Sequence, residues 1–143
     1  MTGSFETSVR IEAPPADVFA YLIDTDLVRR WMGGWGRLDA VPGGAVALDI
    51  NGVPIRGEYV VVDPPHRVVF TWGVAGSESL PPGSTTVEIT LRDEAGGTRL
   101  DLVHRDLPDE EAPRHATGWA HYLGRLAVAG IGGDPGPDPW ASA

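Results

Sequence analysis

The sequence predicts an α+β protein in which a curved antiparallel sheet wraps one long C-terminal helix, with two short helices after the first strand. Three observations predict it. The apolar, β-branched runs 59–62 and 68–72 flank Asp63-Pro64-Pro65, where the aspartate bonds its own downstream backbone and the prolines are unwelcome inside a central strand, so the chain reverses there. Comparable runs separated by turn residues recur between Gly36 and Arg105, hairpin after hairpin. Beyond them, Trp119, Tyr122, Leu123 and Leu126 fall on one stripe at helical spacing, a single apolar face to lay on a sheet.

The elements follow in order. Residues 5–12 alternate Phe5, Thr7, Val9 and Ile11 against Glu6, Ser8, Arg10 and Glu12, the period of a strand with one buried face. Pro14-Pro15 ends it, and a proline suits a first helical turn, after which Val18, Phe19, Leu22 and Ile23 recur at helical spacing. Asp24-Thr25-Asp26 supplies capping oxygens for a second helix carrying Leu27, Val28, Trp31 and Met32 and ended by Gly33-Gly34.

Strands are expected at 46–50, 55–62, 67–74, 85–92 and 98–105, joined through Asn51-Gly52, Asp63-Pro64-Pro65, Pro81-Pro82-Gly83 and Glu94-Ala95-Gly96-Gly97, with Pro42-Gly43-Gly44 ahead of the first. Asn51-Gly52 is the tightest signal, because a type I′ turn needs positive φ at both positions. The last helix is expected over 109–130, with Asp109, Glu110 and Glu111 at its positive end, Pro113 in its first turn and Arg125 nearer its negative end. One domain over 1–131 is therefore expected, followed at 132–143 by an irregular tail rich in proline and glycine that Trp140 could dock.

Composition narrows the function. The 143 residues carry 11 basic and 20 acidic side chains, a net charge of -9, which repels phosphate backbones and anionic lipid, so neither nucleic acid nor a membrane is expected as partner. Without cysteine there is no disulfide framework, thiolate nucleophile or cysteine-rich zinc site. The N-terminus lacks a basic segment leading into an apolar run, and nowhere does the chain approach the ~20 apolar residues of a membrane span, so a cytoplasmic location is expected.

Alternation places Leu48, Ile50, Phe70, Trp72, Val87, Ile89, Leu100, Leu102 and His104 on the inner face of the sheet, opposite Trp119, Tyr122 and Leu126 of the helix. The space between them is either filled by side chains or left as a cavity. Such a lining suits an apolar or aromatic ligand with few polar anchors. The expected ligand-binding residues are Trp31, Tyr59, Phe70, Trp72, His104, Trp119, Tyr122 and Leu126.

His104 is either a satisfied structural histidine or an acid or base facing the cavity. Tyr59, Tyr122 and Trp72 pack the core or turn hydrogen-bonding tips toward a ligand. Trp31 and Trp35, either side of Gly33-Gly34, form a mobile lip or a cap with a packed indole. Arg56 and Glu58 share a strand face, as a ligand clamp if it is concave and as solvated neighbours if it is convex. His115 and His121, six apart, lie on different faces of a helix, which argues against joining His104 in a zinc site. No serine-histidine-aspartate arrangement, phosphate-cradling loop or paired-carboxylate signature is present, and neither metal nor cofactor is expected.

A family resemblance runs through these positions. Pro15-x-x-Val18-Phe19 leading to Arg30-Trp31, the Pro42-Gly43-Gly44 turn, Gly57-x-Tyr59 before Asp63-Pro64-Pro65, Phe70-Thr71-Trp72, Gly97-Thr98-Arg99-Leu100-x-Leu102-x-His104 and Gly118-Trp119 with Leu123 and Leu126 resemble one group in order and spacing. It is the family homologous to the C-terminal domain of the activator of the 90-kDa heat-shock chaperone ATPase. That family belongs to the START-like, birch-pollen-allergen-like superfamily with a helix-grip fold, and the resemblance covers about 5–131. It implies that fold and a deep cavity, in a superfamily whose functions range from lipid carriage to cyclase and hydrolase chemistry. The founding activators carry such a domain beside a separate N-terminal one that these residues do not contain. Three functions are thus in view: an apolar or lipid-like ligand in the cavity; a chaperone or other regulatory partner engaged through the acidic surface; and a cyclase or hydrolase with His104 as acid or base and Tyr59 or Tyr122 polarising a carbonyl; a second copy of the chain is a further partner in view.

Overall fold

A computed structural model describes residues 2–140. Seven strands and three helices follow one another as β1 (Thr2–Ile11), α1 (Pro15–Ile23), α2 (Thr25–Val28), β2 (Trp35–Leu38), β3 (Ala45–Ile50), β4 (Val53–Asp63), β5 (Arg67–Trp72), β6 (Thr85–Glu94), β7 (Gly97–Pro108) and α3 (Ala112–Ala129). The strands form one antiparallel sheet in the order β1-β7-β6-β5-β4-β3-β2. β2 to β7 are a meander, and β1 adds to its far edge by pairing with β7. This is the helix-grip arrangement, with the short helices between β1 and β2 and α3 packed beside β1.

Local chemistry accounts for most element ends. Asp24 accepts from the amides of Asp26 and Leu27, the cap expected at the start of α2, which is only four residues long. Asn51 and Gly52 hold φ of 52° and 84°, as the two-residue turn between β3 and β4 demands. α3 starts at Ala112 rather than 109, because Pro113 lacks an amide hydrogen and belongs in a first turn. Asp109, Glu110 and Glu111 therefore precede the helix instead of lying in it. β2 was not anticipated: its four residues show no apolar alternation, and Gly36 is there because a Cβ would press within 3.1 Å of both Leu48 and Val28.

Irregularities in β4 and β7 reset the faces of the sheet. A bulge between Tyr59 and Val61 separates the inward Ile55 and Tyr59 from the next inward residue, Val62. At Gly57 the backbone runs so close to β5 that a Cβ would lie 1.9 Å from the Thr71 carbonyl oxygen; the Thr71 hydroxyl takes the Glu58 amide and the Arg56 amide bonds Gly73. β4 keeps its register on the chain leaving β5 past this point, with Ile55 and Val74 forming a further bridge. In β7, Asp106 with φ of 64° shifts the inward parity from His104 to Leu107.

Leu48, Phe70, Trp72, Val87, Ile89, Leu100 and Leu102 share one buried cluster with Trp119, Tyr122, Leu123 and Leu126 of α3. Ile50, expected among them, is half-buried because it borders a cleft. On the outer face charges pair across strands: Glu88 of β6 takes Arg67 of β5 at 2.8 Å and also Arg105 of β7. The bond from Arg67 is the main reason the Glu88 carboxyl lies below its ordinary range. Among the described residues no helix is long and apolar enough to cross a membrane.

Candidate functional site

His104, fully buried on β7, joins sheet and helix. The hydroxyl of Thr85 donates its one proton to the Trp72 carbonyl at 2.7 Å, so it can only accept from Nε2 of His104, 2.8 Å away. Nδ1 of His104 then accepts from the indole N–H of Trp119 at 3.1 Å. The order of donors fixes a neutral imidazole protonated on Nε2, with both nitrogens occupied. Burial, and secondarily the neighbouring His115, push its pKa down to about 3. The rings of Trp72 and Trp119 lie 5.3 Å apart and that of Trp72 stands edge-on to His104 at 5.8 Å, one aromatic block around the imidazole.

This block divides the interior. On one side a void of about 20 Å³ is bordered by Trp31, Tyr59, Phe70 and Trp119. It is apolar and no larger than one water requires. The deep cavity implied by the family resemblance is to that extent filled. Two of its aromatic tips are already engaged: the Trp31 indole donates to the Tyr21 carbonyl at 3.0 Å and the Tyr59 hydroxyl to that of Leu22 at 3.0 Å. Burial pushes the Tyr59 phenol well above its ordinary range.

On the other side a cleft of about 270 Å³ opens between one end of the sheet and the first half of α3. Ile50, Val53, Ile55, Trp72 and Val74 form its sheet wall, Met32 and Leu80 its ends, and His115, Gly118, Trp119 and Tyr122 its helix wall. Ile55 and Val74, bridged beyond the end of β5, continue the sheet wall past Trp72. Gly118 keeps the cleft open, for a Cβ there would meet nothing within 4 Å.

Asn51, Glu111 and Arg114 also border this lining. Nδ1 of His115 must donate to the Glu111 carbonyl, 3.0 Å away, so in the neutral ring Nε2 is a bare acceptor without a partner among the described residues. The Trp72 indole N–H is buried and likewise lacks a partner. The Tyr122 hydroxyl, by contrast, is saturated: it accepts from Asn51 at 3.0 Å and donates to Asp138 at 2.8 Å. Burial first, then the Asp138 carboxylate, raise its pKa to about 12.

Asp138 belongs to the tail, expected as irregular chain that Trp140 could dock, and the tail lies along α3. It also takes Nε2 of His121 at 2.8 Å and the Trp140 amide at 2.9 Å. Burial acts to raise its carboxyl, but the bonds from Trp140, Tyr122 and His121 outweigh it, leaving the carboxyl below its ordinary value. Trp140 stacks on His121 with centroids 3.7 Å apart and lines the cleft mouth. Arg125 ties down the preceding turn through the Gly136 carbonyl at 2.9 Å.

The Asn51, Tyr122 and Asp138 triple is a partition. Beyond it a larger groove of about 760 Å³ is lined by Arg29, Arg30 and Arg125, by Asp49, Asp134 and Asp138, by Trp35 and by the tail. Its three cations and three carboxylates balance, so it offers a ligand no net charge, and its lining is more polar than that of the smaller cleft. The smaller cleft is the better candidate site.

The expected ligand residues are thus distributed. Trp72, Trp119 and Tyr122 line the cleft; Trp31, Tyr59 and Phe70 border the small void; His104 and Leu126 are fully buried and line neither. Trp35 is half-exposed under the Arg56 guanidinium, 5.4 Å from its ring, and Arg56 pairs with Asp49 on the face opposite Ile55 and Tyr59. Among the described residues no group of three histidines or carboxylates could hold a metal ion. Sequence reasoning overlooked His115 as a lining residue. Its spacing to Trp119 and Tyr122, i, i+4 and i+7, would have put it on their stripe.

A family model described as activator of Hsp90 ATPase homolog 1-like protein matches residues 12–129. Among solved structures, the solution structure of an AHSA1-like protein from Rhizobium etli is 40% identical, covers 100% of this chain and 91% of its own, and superposes with a TM-score of 0.76. CalU16 from Micromonospora echinospora is 27% identical over 96% of this chain and 78% of its own, TM-score 0.78. An Hsp90 activator from Plasmodium falciparum is 24% identical, covers 91% of this chain and 96% of its own, TM-score 0.74, a likeness of fold. No curated protein matches the chain.

Proposed function

The chain belongs to the family of activator of Hsp90 ATPase homolog 1-like proteins, and from that premise we propose that it is a small-molecule binding protein whose site is the apolar cleft between the sheet and α3. One observation carries the reading: a cleft of about 270 Å³, walled by Ile50, Ile55, Val74, Leu80 and two tryptophans, in a fold whose remaining interior is packed. Apolar surface held open in this way costs stability unless it has an occupant, and an open small-molecule pocket is its ordinary use. The volume lies near the ~300 Å³ lower end of ligand sites, which favours a compact ligand over a long lipid chain. No catalytic step is assigned to His104, because both of its nitrogens already have partners.

Native mass spectrometry of the protein as purified, followed by denaturation and identification of what is released, tests the reading. A stoichiometric apolar adduct supports it. A clean mass from protein that also binds no naphthalene overturns it.

A second reading, partnership with a heat-shock chaperone, is favoured by the family description and by the net charge of -9, an acidic surface for a basic patch on a partner. Stimulation of a purified Hsp90 ATPase tests it. A rate unchanged at saturating protein removes it.

A further inference from the structure

The tail supplies part of the cleft. Trp140 lines it beside Tyr122, and with Trp140 docked about 270 Å³ still stands open, so the tail is a wall of this space and not a plug in it. Trp72, Trp119 and Tyr122, the other large rings of the lining, are buried, whereas Trp140 is 45% exposed. Its indole lies flat on His121, centroids 3.7 Å apart and planes 12° from parallel, and stands edge-on to Tyr122 at 5.9 Å. One face of the indole is thus taken by the helix, and the rest of the ring borders the cleft and solvent.

Side chains, not backbone, hold that ring in place. Beyond Gly133 the tail makes no backbone-to-backbone hydrogen bond among the described residues, and Pro135, Pro137 and Pro139 have no amide hydrogen to donate. Its ties are Arg125, which donates to the Gly136 carbonyl at 2.9 Å, and the Asp138 carboxylate, which takes His121, Tyr122 and the Trp140 amide. A segment held by so few bonds detaches at a far smaller free-energy cost than a strand of the sheet. Two of the three groups on Asp138 also border the cleft, so one carboxylate sets both the docking of the tail and the form of the site.

We infer that Trp140 is a ligand-contacting residue carried by the tail, and that ligand binding and tail docking favour each other. This deepens the cleft reading above and rests on it. A planar apolar ligand in the cleft covers indole surface that otherwise faces water, and that contact exists only while the tail is docked. A contact made in one state and not in the other couples the two equilibria. The coupling is reciprocal: the factor by which a docked tail raises ligand affinity is the factor by which ligand favours docking.

Isothermal titration of naphthalene into the unaltered protein and into Trp140→Ala tests the inference, with amide exchange over 132–140 followed in both proteins with and without saturating naphthalene. Trp140→Ala is expected to bind naphthalene about fivefold more weakly, the worth of one aromatic contact. Saturating naphthalene should slow tail exchange by a similar factor in the unaltered protein and leave it unchanged in the variant. Equal affinity in the two proteins, with tail exchange unmoved by naphthalene, overturns the inference and leaves the cleft reading standing. Tighter binding by the variant, or faster tail exchange on saturation, also overturns it, because the tail would then compete with the ligand. Failure of naphthalene to bind either protein overturns both.

Discussion

The indole N–H of Trp119 on α3 donates to Nδ1 of His104 on β7 across 3.1 Å, so one side-chain hydrogen bond joins the helix to the sheet at the buried wall of the cleft. Trp119→Phe keeps a ring but removes the donor, leaving a buried imidazole nitrogen unpaired. A loss of about 1–3 kcal/mol is expected in urea unfolding. A loss no greater than about 0.5 kcal/mol would mean the bond does not hold the helix.

Neutrality of His104 has a pH signature. Its folded pKa is about 3, so between that value and the unfolded ~6.5 protons bind the unfolded chain and not the native one. The native state is therefore unpenalised above about pH 6.5 and loses stability as pH falls toward 3, at up to about 1.4 kcal/mol per pH unit from this group. His104→Leu should be less stable at pH 7 but show a shallower decline between pH 6.5 and 4.5. Parallel curves for the two proteins would contradict the neutral assignment.

Thr85 is the other arm of the same network. Thr85→Val is nearly isosteric but removes both an acceptor for His104 and a donor to Trp72, and should cost about 2 kcal/mol. Thr85→Ser should restore most of that. Equal losses in the two variants would point to methyl packing instead.

The tail makes a separate prediction. Asp138→Ala removes the acceptor shared by His121, Tyr122 and Trp140, and should speed amide exchange over 132–140 by about tenfold while leaving β6 and β7 protected. Because the folded carboxyl pKa lies below its ordinary value, its contribution is complete above about pH 4 and is lost as pH falls through the folded value. Exchange in the unaltered protein, corrected for intrinsic rates, should then approach that of the variant as pH falls through the folded value. Protection independent of Asp138 would mean that Arg125 alone holds the tail.

Ala95 holds φ of 48° beside Gly96 in the turn between β6 and β7, a region that costs an ordinary L-residue about 1–2 kcal/mol. Ala95→Asn should recover roughly 0.5–1 kcal/mol, seen as a higher urea midpoint at unchanged slope.

The strand meander, the Asn51-Gly52 turn and the stripe of α3 could be read from the chain because each depends on neighbours in sequence. β2 could not: its pairing with β3 is decided by Gly36 fitting between Leu48 and Val28, a tertiary fact. The candidate site was half legible. Alternation found Trp72, Trp119 and Tyr122, but equally Trp31, Tyr59 and Phe70, and nothing local tells a ring beside a cleft from one beside a packed void. The close approach at Gly57 and the bulge after Tyr59 set which β4 side chains face inward, and simple alternation does not carry either. The tail reads as irregular because its order rests on Asp138 and Trp140 meeting His121 and Tyr122 rather than on any periodicity.

The most direct measurement is an NMR titration of naphthalene into the unaltered protein and into Gly118→Leu. Position 118 faces open space, so the leucine fills the cleft without displacing neighbours, and leaving glycine in a helix interior gains up to about 0.8 kcal/mol. The cleft account predicts saturable shifts at Leu80, Gly118 and Trp119 in the unaltered protein, and none in a variant that melts at the same or a higher temperature. Equal binding by both proteins would place the ligand elsewhere and contradict it.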